Sequence, residues 1–259
     1  MITHSRNPLI THWFSAYAKG KLKKNFSNIS LTKTSSIPKF EDNIPVIVIS
    51  NHSSWWDAML AMYLGWYVFK REYYGVFAAE QLKRYGIFRK VGCFGIDRDS
   101  SQDTREFLRY TQKLLNEQSR LLWIYPQGDL ISAEALPLVF KKGYVNILSR
   151  LKRVHLLKTT VSYDFWLESK PEIVMDIMPL EYMEPKPGAS FTNEINERIQ
   201  CELSERLAVL RDIVRTRDKS QLNSILTAQH GTNIVYDGYR YMKSKLAGEE
   251  FQLSHEAKL

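Results

Sequence analysis

Residues 45–50 read Pro-Val-Ile-Val-Ile-Ser, an apolar run with no alternating polar positions. A strand that is apolar on both sides is buried on both faces, which is the habit of parallel sheets. Such a sheet needs helices above and below it, so this one stretch already points to a layered α/β fold. The chain downstream follows suit. Its patterning predicts a helix over 55–69, a strand over 74–79, a helix over 80–90 and a strand over 93–97. A further helix follows Ser100 and Ser101, with Phe107, Leu108, Leu114 and Leu115 on its core face. Then come strand 121–125, helix 143–151, and strands 155–164 and 172–178. After the Pro-Lys-Pro-Gly turn at 185–188 the pattern reads as helices only, about 190–215, 218–229 and 233–247. The expectation is therefore an α/β fold: a mainly parallel central sheet flanked by helices, an N-terminal amphipathic helix and a C-terminal all-helical segment. The corresponding boundaries are an arm over 1–39, a domain over 40–188 and a helical extension over 189–259 that packs on the domain.

Charge separates the arm from the rest. The net +8 of the 259 residues is concentrated at the start, where Arg6, Lys19, Lys21, Lys23, Lys24, Lys33 and Lys39 have no acidic counterpart before residue 40. Residues 8–26 read as an amphipathic helix: Pro8 suits a first turn, and Ile10, Trp13, Phe14, Tyr17, Leu22 and Phe26 recur near helical spacing. One reading is a helix lying in a membrane interface, with lysines toward anionic lipid. The other is a helix docked on its own domain with solvated lysines. A nucleic-acid arm would need a base-reading motif, and none is present. The longest apolar stretches, such as 58–69, fall short of the roughly 20 residues that span a bilayer. No signal-peptide pattern is expected at the start. Two cysteines, Cys93 and Cys201, make no disulfide framework and suit a reducing compartment.

Four short blocks could carry chemistry. Asn51-His52-Ser53-Ser54-Trp55-Trp56-Asp57 places a histidine at the carboxyl end of the first buried strand, where open α/β sheets put their sites. An aspartate five residues on, after a turn, can fold back to one imidazole nitrogen and leave the other facing a cleft. A histidine held that way can take a proton from a hydroxyl. Gly92 to Arg98 ends a strand with a guanidinium suited to phosphate or carboxylate, or to a surface ion pair with Asp97 or Asp99. Tyr125-Pro126-Gln127-Gly128-Asp129 is a turn after a strand, whose Gly128 would let backbone approach a ligand. Phe140-Lys141-Lys142-Gly143 precedes a helix and could offer two cations to an anion, or be a solvated loop. Cys93 reads as a small buried residue rather than a nucleophile.

Taken in order, over about 40–180, these blocks resemble the glycerolipid acyltransferase family, typified by 1-acylglycerol-3-phosphate acyltransferases and their lysophospholipid relatives. The resemblance implies acyl transfer from acyl-CoA or acyl carrier protein to a lipid hydroxyl, with no cofactor and no metal. By resemblance His52 is the general base and Asp57 its orienting partner. Asn51, Arg98, Gln127, Gly128, Lys141 and Lys142 are then expected at the substrate, Arg98 on the acceptor phosphate. The third block departs from the family's usual Phe-Pro-Glu-Gly-Thr-Arg-Ser. Gln127 replaces the carboxylate, Leu130 stands where an arginine is usual, and Asp129 would repel a phosphate dianion. The acceptor is therefore expected to be a lysophospholipid with a larger head group, a glycolipid or another hydroxylated lipid. Beside these blocks, the basic arm is expected to dock the protein peripherally on the cytoplasmic face of the cell membrane, with membrane lipid and the acyl donor as partners and no nucleic acid. The rival readings are a lipid-binding protein that has lost catalysis, and a thioesterase with water as acceptor.

Overall fold

The chain opens with helix α1 (Pro8–Asn25) and strand β1 (Asn28–Thr32), before the apolar run forms strand β2 (Val46–Ser50). Helix α1 begins as its sequence dictates. Pro8 occupies the first turn, and the Asn7 side chain accepts from the backbone N–H of Leu9 and Ile10. After β2 come α2 (Asp57–Tyr63), a π-helical turn at Leu64–Val68, β3 (Glu72–Ala78), α3 (Ala79–Arg84), α4 (Ile87–Lys90) and β4 (Cys93–Ile96). The chain continues through α5 (Ser101–Asn116), β5 (Arg120–Ile124), α6 (Gly143–Leu148), β6 (Val154–Asp164), β7 (Glu172–Ile177) and β8 (Glu181–Met183). It ends with α7 (Ala189–Thr216), β9 (Leu222–Thr227) and α8 (Ile234–Ala247). This computed structural model describes residues 1–97, 100–116, 120–166, 168–186, 188–227 and 234–247.

The strands form one sheet in the order β4-β3-β5-β2-β6-β7-β1-β9, with β8 also pairing β6. Strands β4, β3, β5, β2 and β6 run parallel, which is the expected core of the fold. Their side chains alternate between two helical layers. Val46 and Val48 face the layer of α1 to α4, with Ala18, Leu22, Leu60 and Leu64. Ile47 and Ile49 face the layer of α5 to α7, with Leu114, Val145, Leu203 and Leu207. The two-residue period of β2 thus places one apolar set in each layer.

Two expectations are corrected. Residues 222–227, read as helix, form β9, which pairs antiparallel with β1, so the C-terminal segment is not all helical. Residues 1–39 are not an arm apart from the sheet, because β1 lies between β7 and β9 and the inner face of α1 buries Phe14, Ala18 and Leu22. The reason is that the apolar stripe of α1 is two stripes. Phe14, Ala18 and Leu22 repeat every fourth residue and point inward, whereas Leu9, Trp13 and Tyr17 repeat every fourth residue and stay exposed. No helix among the described residues is long and apolar enough to cross a membrane.

Candidate active site

The carboxyl ends of β5, β2 and β6 lie side by side, and the site is assembled on them. Asn51 ends β2 by continuing its ladder with a side chain. Its Oδ1 accepts from the Val161 N–H at 2.8 Å and its Nδ2 donates to the Val161 carbonyl at 3.0 Å. At 1% exposure, with both amide functions on backbone, Asn51 is a structural clamp and does not face a substrate. That corrects the expectation that it binds one. Removing the clamp orphans two buried backbone groups. Asn51→Ala is therefore expected to lose about 2–4 kcal/mol of stability, read as a clear fall in melting temperature by circular dichroism.

His52 follows the clamp and is held by its main chain. Its N–H donates to Gln127 Oε1 at 2.6 Å, and its carbonyl accepts from the Ile131 N–H at 2.8 Å. The third block therefore grips the histidine backbone from both sides. Gly128 makes the turn that allows this, at φ +82° where a side chain would be strained. Gln127 is buried, so the structure gives it a positioning task rather than direct contact with solvent-borne substrate.

The imidazole is oriented by two neighbours. Its Nδ1 lies 2.7 Å from Asp57 Oδ2, and its ring stacks on Tyr125 with centroids 4.3 Å apart. The ring is 23% exposed while the Asp57 side chain is 1% exposed. Asp57 Oδ2 also accepts from the N–H groups of Ser53 and Ser54, at 2.8 and 2.9 Å. Its Oδ1 accepts from the Tyr163 hydroxyl at 2.5 Å. Four donors converging on one carboxylate are what a buried negative charge needs. An ionised carboxylate only accepts, so Nδ1 is the donor of this pair, and in the neutral imidazole Nε2 is then the acceptor. Nε2 has no partner among the described residues, on a side chain that is partly exposed.

Tyr163 and Tyr125 were not assigned roles by sequence reasoning. Tyr163 lies near the end of β6, and Tyr125 lies just past β5, where its hydroxyl donates to the Asp57 carbonyl at 2.8 Å. Burial first, and then the nearby Asp57 charge, push both phenols well above their ordinary range, so both are fixed as neutral donors. Each stands at the carboxyl end of a largely apolar strand, which is a readable signal. The missing information is that these two strands flank β2.

Of the remaining expected site residues, Lys141 lies against the third block, its backbone N–H donating to the Pro126 carbonyl at 2.9 Å. Lys141 Nζ lies 2.9 Å from Asp129 Oδ2 and Lys142 Nζ donates to Asn193 Oδ1 at 2.8 Å. Both cations expected for an anion are thus engaged by protein groups on the surface, and the helix that follows them has only six residues. Arg98 and its neighbour Asp99 lie outside the described residues. Cys93 is buried, and burial pushes its thiol far above the range of a nucleophile, as expected. Among the described residues no cluster of three or more His, Cys, Asp or Glu side chains is placed to hold a metal ion.

A family model described as Acyltransferase matches residues 28–161, which include β1, the His52–Asp57 pair and the third and fourth blocks. The fold is also similar to that of the 1-acyl-sn-glycerophosphate (LPA) acyltransferase PlsC from Thermotoga maritima. The TM-score is 0.52 at 18% identity, covering 78% of this chain and 79% of that one. This second likeness is one of fold. No curated protein matches the chain.

Proposed function

From the premise that this chain belongs to the acyltransferase family, we propose that it moves a fatty acyl group from acyl-CoA or acyl carrier protein to the hydroxyl of a lysophospholipid or related lipid. The observation that carries this reading is the His52–Asp57 pair, with Nδ1 held at 2.7 Å and Nε2 open. His52 Nε2 takes the proton of the acceptor hydroxyl as its oxygen attacks the thioester carbonyl carbon. Asp57 stabilises the imidazolium that forms. The C–S bond then breaks, the thiolate takes the proton from the imidazolium, and a new ester and a free thiol leave. No serine or cysteine stands in a nucleophile-elbow pattern, so donor and acceptor are expected to react in one ternary complex.

The experiment is thiol release from acyl-CoA and from acyl carrier protein with and without a panel of lysolipids. The account expects release to depend on the acceptor. Release at the same rate without a lysolipid would favour a thioesterase. Vesicle binding without any release would favour a lipid-binding protein.

Docking on a lipid surface is supported by the outer face of α1. Leu9 is 83% exposed and Trp13 59% exposed, and Trp13 stacks on Tyr17. Lys19 lies over the Tyr67 ring and Lys21 over the Tyr17 ring, so cations border the aromatic patch. Deleting residues 1–39 would remove β1 with the helix, so substitution is the cleaner test. The pair Leu9→Ser and Trp13→Ser is expected to lower binding to anionic vesicles by tenfold or more, at about 1.5–3 kcal/mol per large apolar side chain fully buried. Unchanged sedimentation with phosphatidylglycerol-containing vesicles would exclude this face as the anchor.

A further inference from the structure

The Asp57 carboxylate is held from two distant parts of the chain. The loop of its own block supplies the Ser53 and Ser54 N–H groups, and both go to Oδ2, the oxygen that meets His52 Nδ1. The other oxygen, Oδ1, is reached from β6 by the Tyr163 hydroxyl at 2.5 Å. A carboxylate bound through one oxygen alone can still turn about that oxygen, and the lone pair that receives the Nδ1–H turns with it. Pinning the second oxygen fixes the plane. The Asp57 backbone is secured separately: its N–H donates to the Ser54 carbonyl at 3.1 Å, and its carbonyl accepts from the Tyr125 hydroxyl at 2.8 Å. What Tyr163 controls is therefore the rotation of the carboxylate rather than the course of the chain.

Tyr163 is placed rigidly enough for this. Its backbone lies in antiparallel register opposite Ile173 of β7. Two residues earlier on the same strand Val161 holds Asn51, so β6 grips both ends of the first block. The Tyr163 ring packs on Phe26, with centroids 5.8 Å apart, and Phe26 meets the Trp56 ring edge-on at 5.1 Å, beside Asp57 in the chain. Burial and the Asp57 charge keep the phenol protonated, so its hydroxyl remains a donor.

We propose that Tyr163 is a positioning residue for the proton transfer: it fixes the plane of the Asp57 carboxylate against His52, and so acts on the reaction through Asp57 rather than through either substrate. The inference rests on the acyl-transfer reading above. It is tested by a double-mutant cycle in steady-state acyl transfer, with wild type, Tyr163→Phe, Asp57→Asn and the double variant. Tyr163→Phe keeps the ring and removes only the hydroxyl. It is expected to lower kcat roughly tenfold, as loss of one charge-assisted hydrogen bond would, with the KM for donor and acceptor unchanged. In Asp57→Asn the carboxylate is already gone, so adding Tyr163→Phe is expected to change kcat by less than about twofold. The double variant leaves no buried carboxylate short of a donor, so this arm reads the coupling even if Tyr163→Phe alone fails to fold. A further tenfold fall in the double variant, or full kcat in a folded Tyr163→Phe, would overturn the role of Tyr163 and leave acyl transfer standing. No His52-dependent transfer to any acceptor would overturn both.

Discussion

His52→Ala is expected to lower acyl transfer by about 10²–10⁴-fold, the usual contribution of a positioned general base, while the fold survives. The physical grounds for survival are specific. The histidine's main-chain bonds to Gln127 and Ile131 do not need its ring. Asp57 keeps three of its four donors, from Ser53, Ser54 and Tyr163. The ring is partly exposed, so its removal opens toward solvent rather than into a closed void. The change in stability should stay within about 1 kcal/mol. Initial rates and a thermal melt on the same preparation check both halves. Near-normal turnover in a folded protein would remove His52 from the mechanism.

Asp57→Asn is the second large effect, and it separates charge from geometry. An asparagine oxygen in the place of Oδ2 can still accept from His52, Ser53 and Ser54, and its amide can donate to the Tyr163 oxygen. The cluster is therefore expected to persist. What is lost is the negative charge that stabilises the imidazolium during transfer. Turnover should fall by about 10³-fold or more, by analogy with the neutralised aspartate of a hydrolytic triad, with KM for both substrates nearly unchanged. Asp57→Ala should do the same and also destabilise the fold by about 2 kcal/mol or more, since it orphans the buried loop N–H groups and the Tyr163 hydroxyl. If Asp57→Asn kept most of its turnover, the carboxylate would be structural only.

The two variants also show which parts of the site the sequence reveals. A histidine after a buried strand and an aspartate five residues on are local facts, and their geometry follows from one turn. Tyr163 reaches the same carboxylate from 106 residues away. That contact exists because β6 lies beside β2, and strand order is not written in local patterning. Asn51 illustrates the reverse. A polar residue beside a candidate base looks like a ligand, yet a strand end needs its backbone groups satisfied, and that need claimed both amide functions.

The fold divides in the same manner. Strands β2 and β5 and helix α5 are legible because burial dictates their periodicity. Strand β1 is not, since its buried Ser30 and Thr32 are polar, with Thr32 satisfied by Asp176 on β7. Strand β9 acquires its conformation by pairing with β1 across nearly the whole chain, so tertiary context overrides a helical-looking segment. In α1 a single aromatic stripe resolves into one face for the core and one for the surface.

The central claim is that His52 moves an acyl group from a thioester to a lipid hydroxyl. It is tested most directly by following a labelled acyl chain from acyl-CoA in the presence of lysophospholipid vesicles, in wild type and His52→Ala. The account predicts label in a diacyl lipid, matched one to one by free thiol and lost in His52→Ala. Label appearing instead as free fatty acid, at a rate indifferent to the lysolipid, would contradict it.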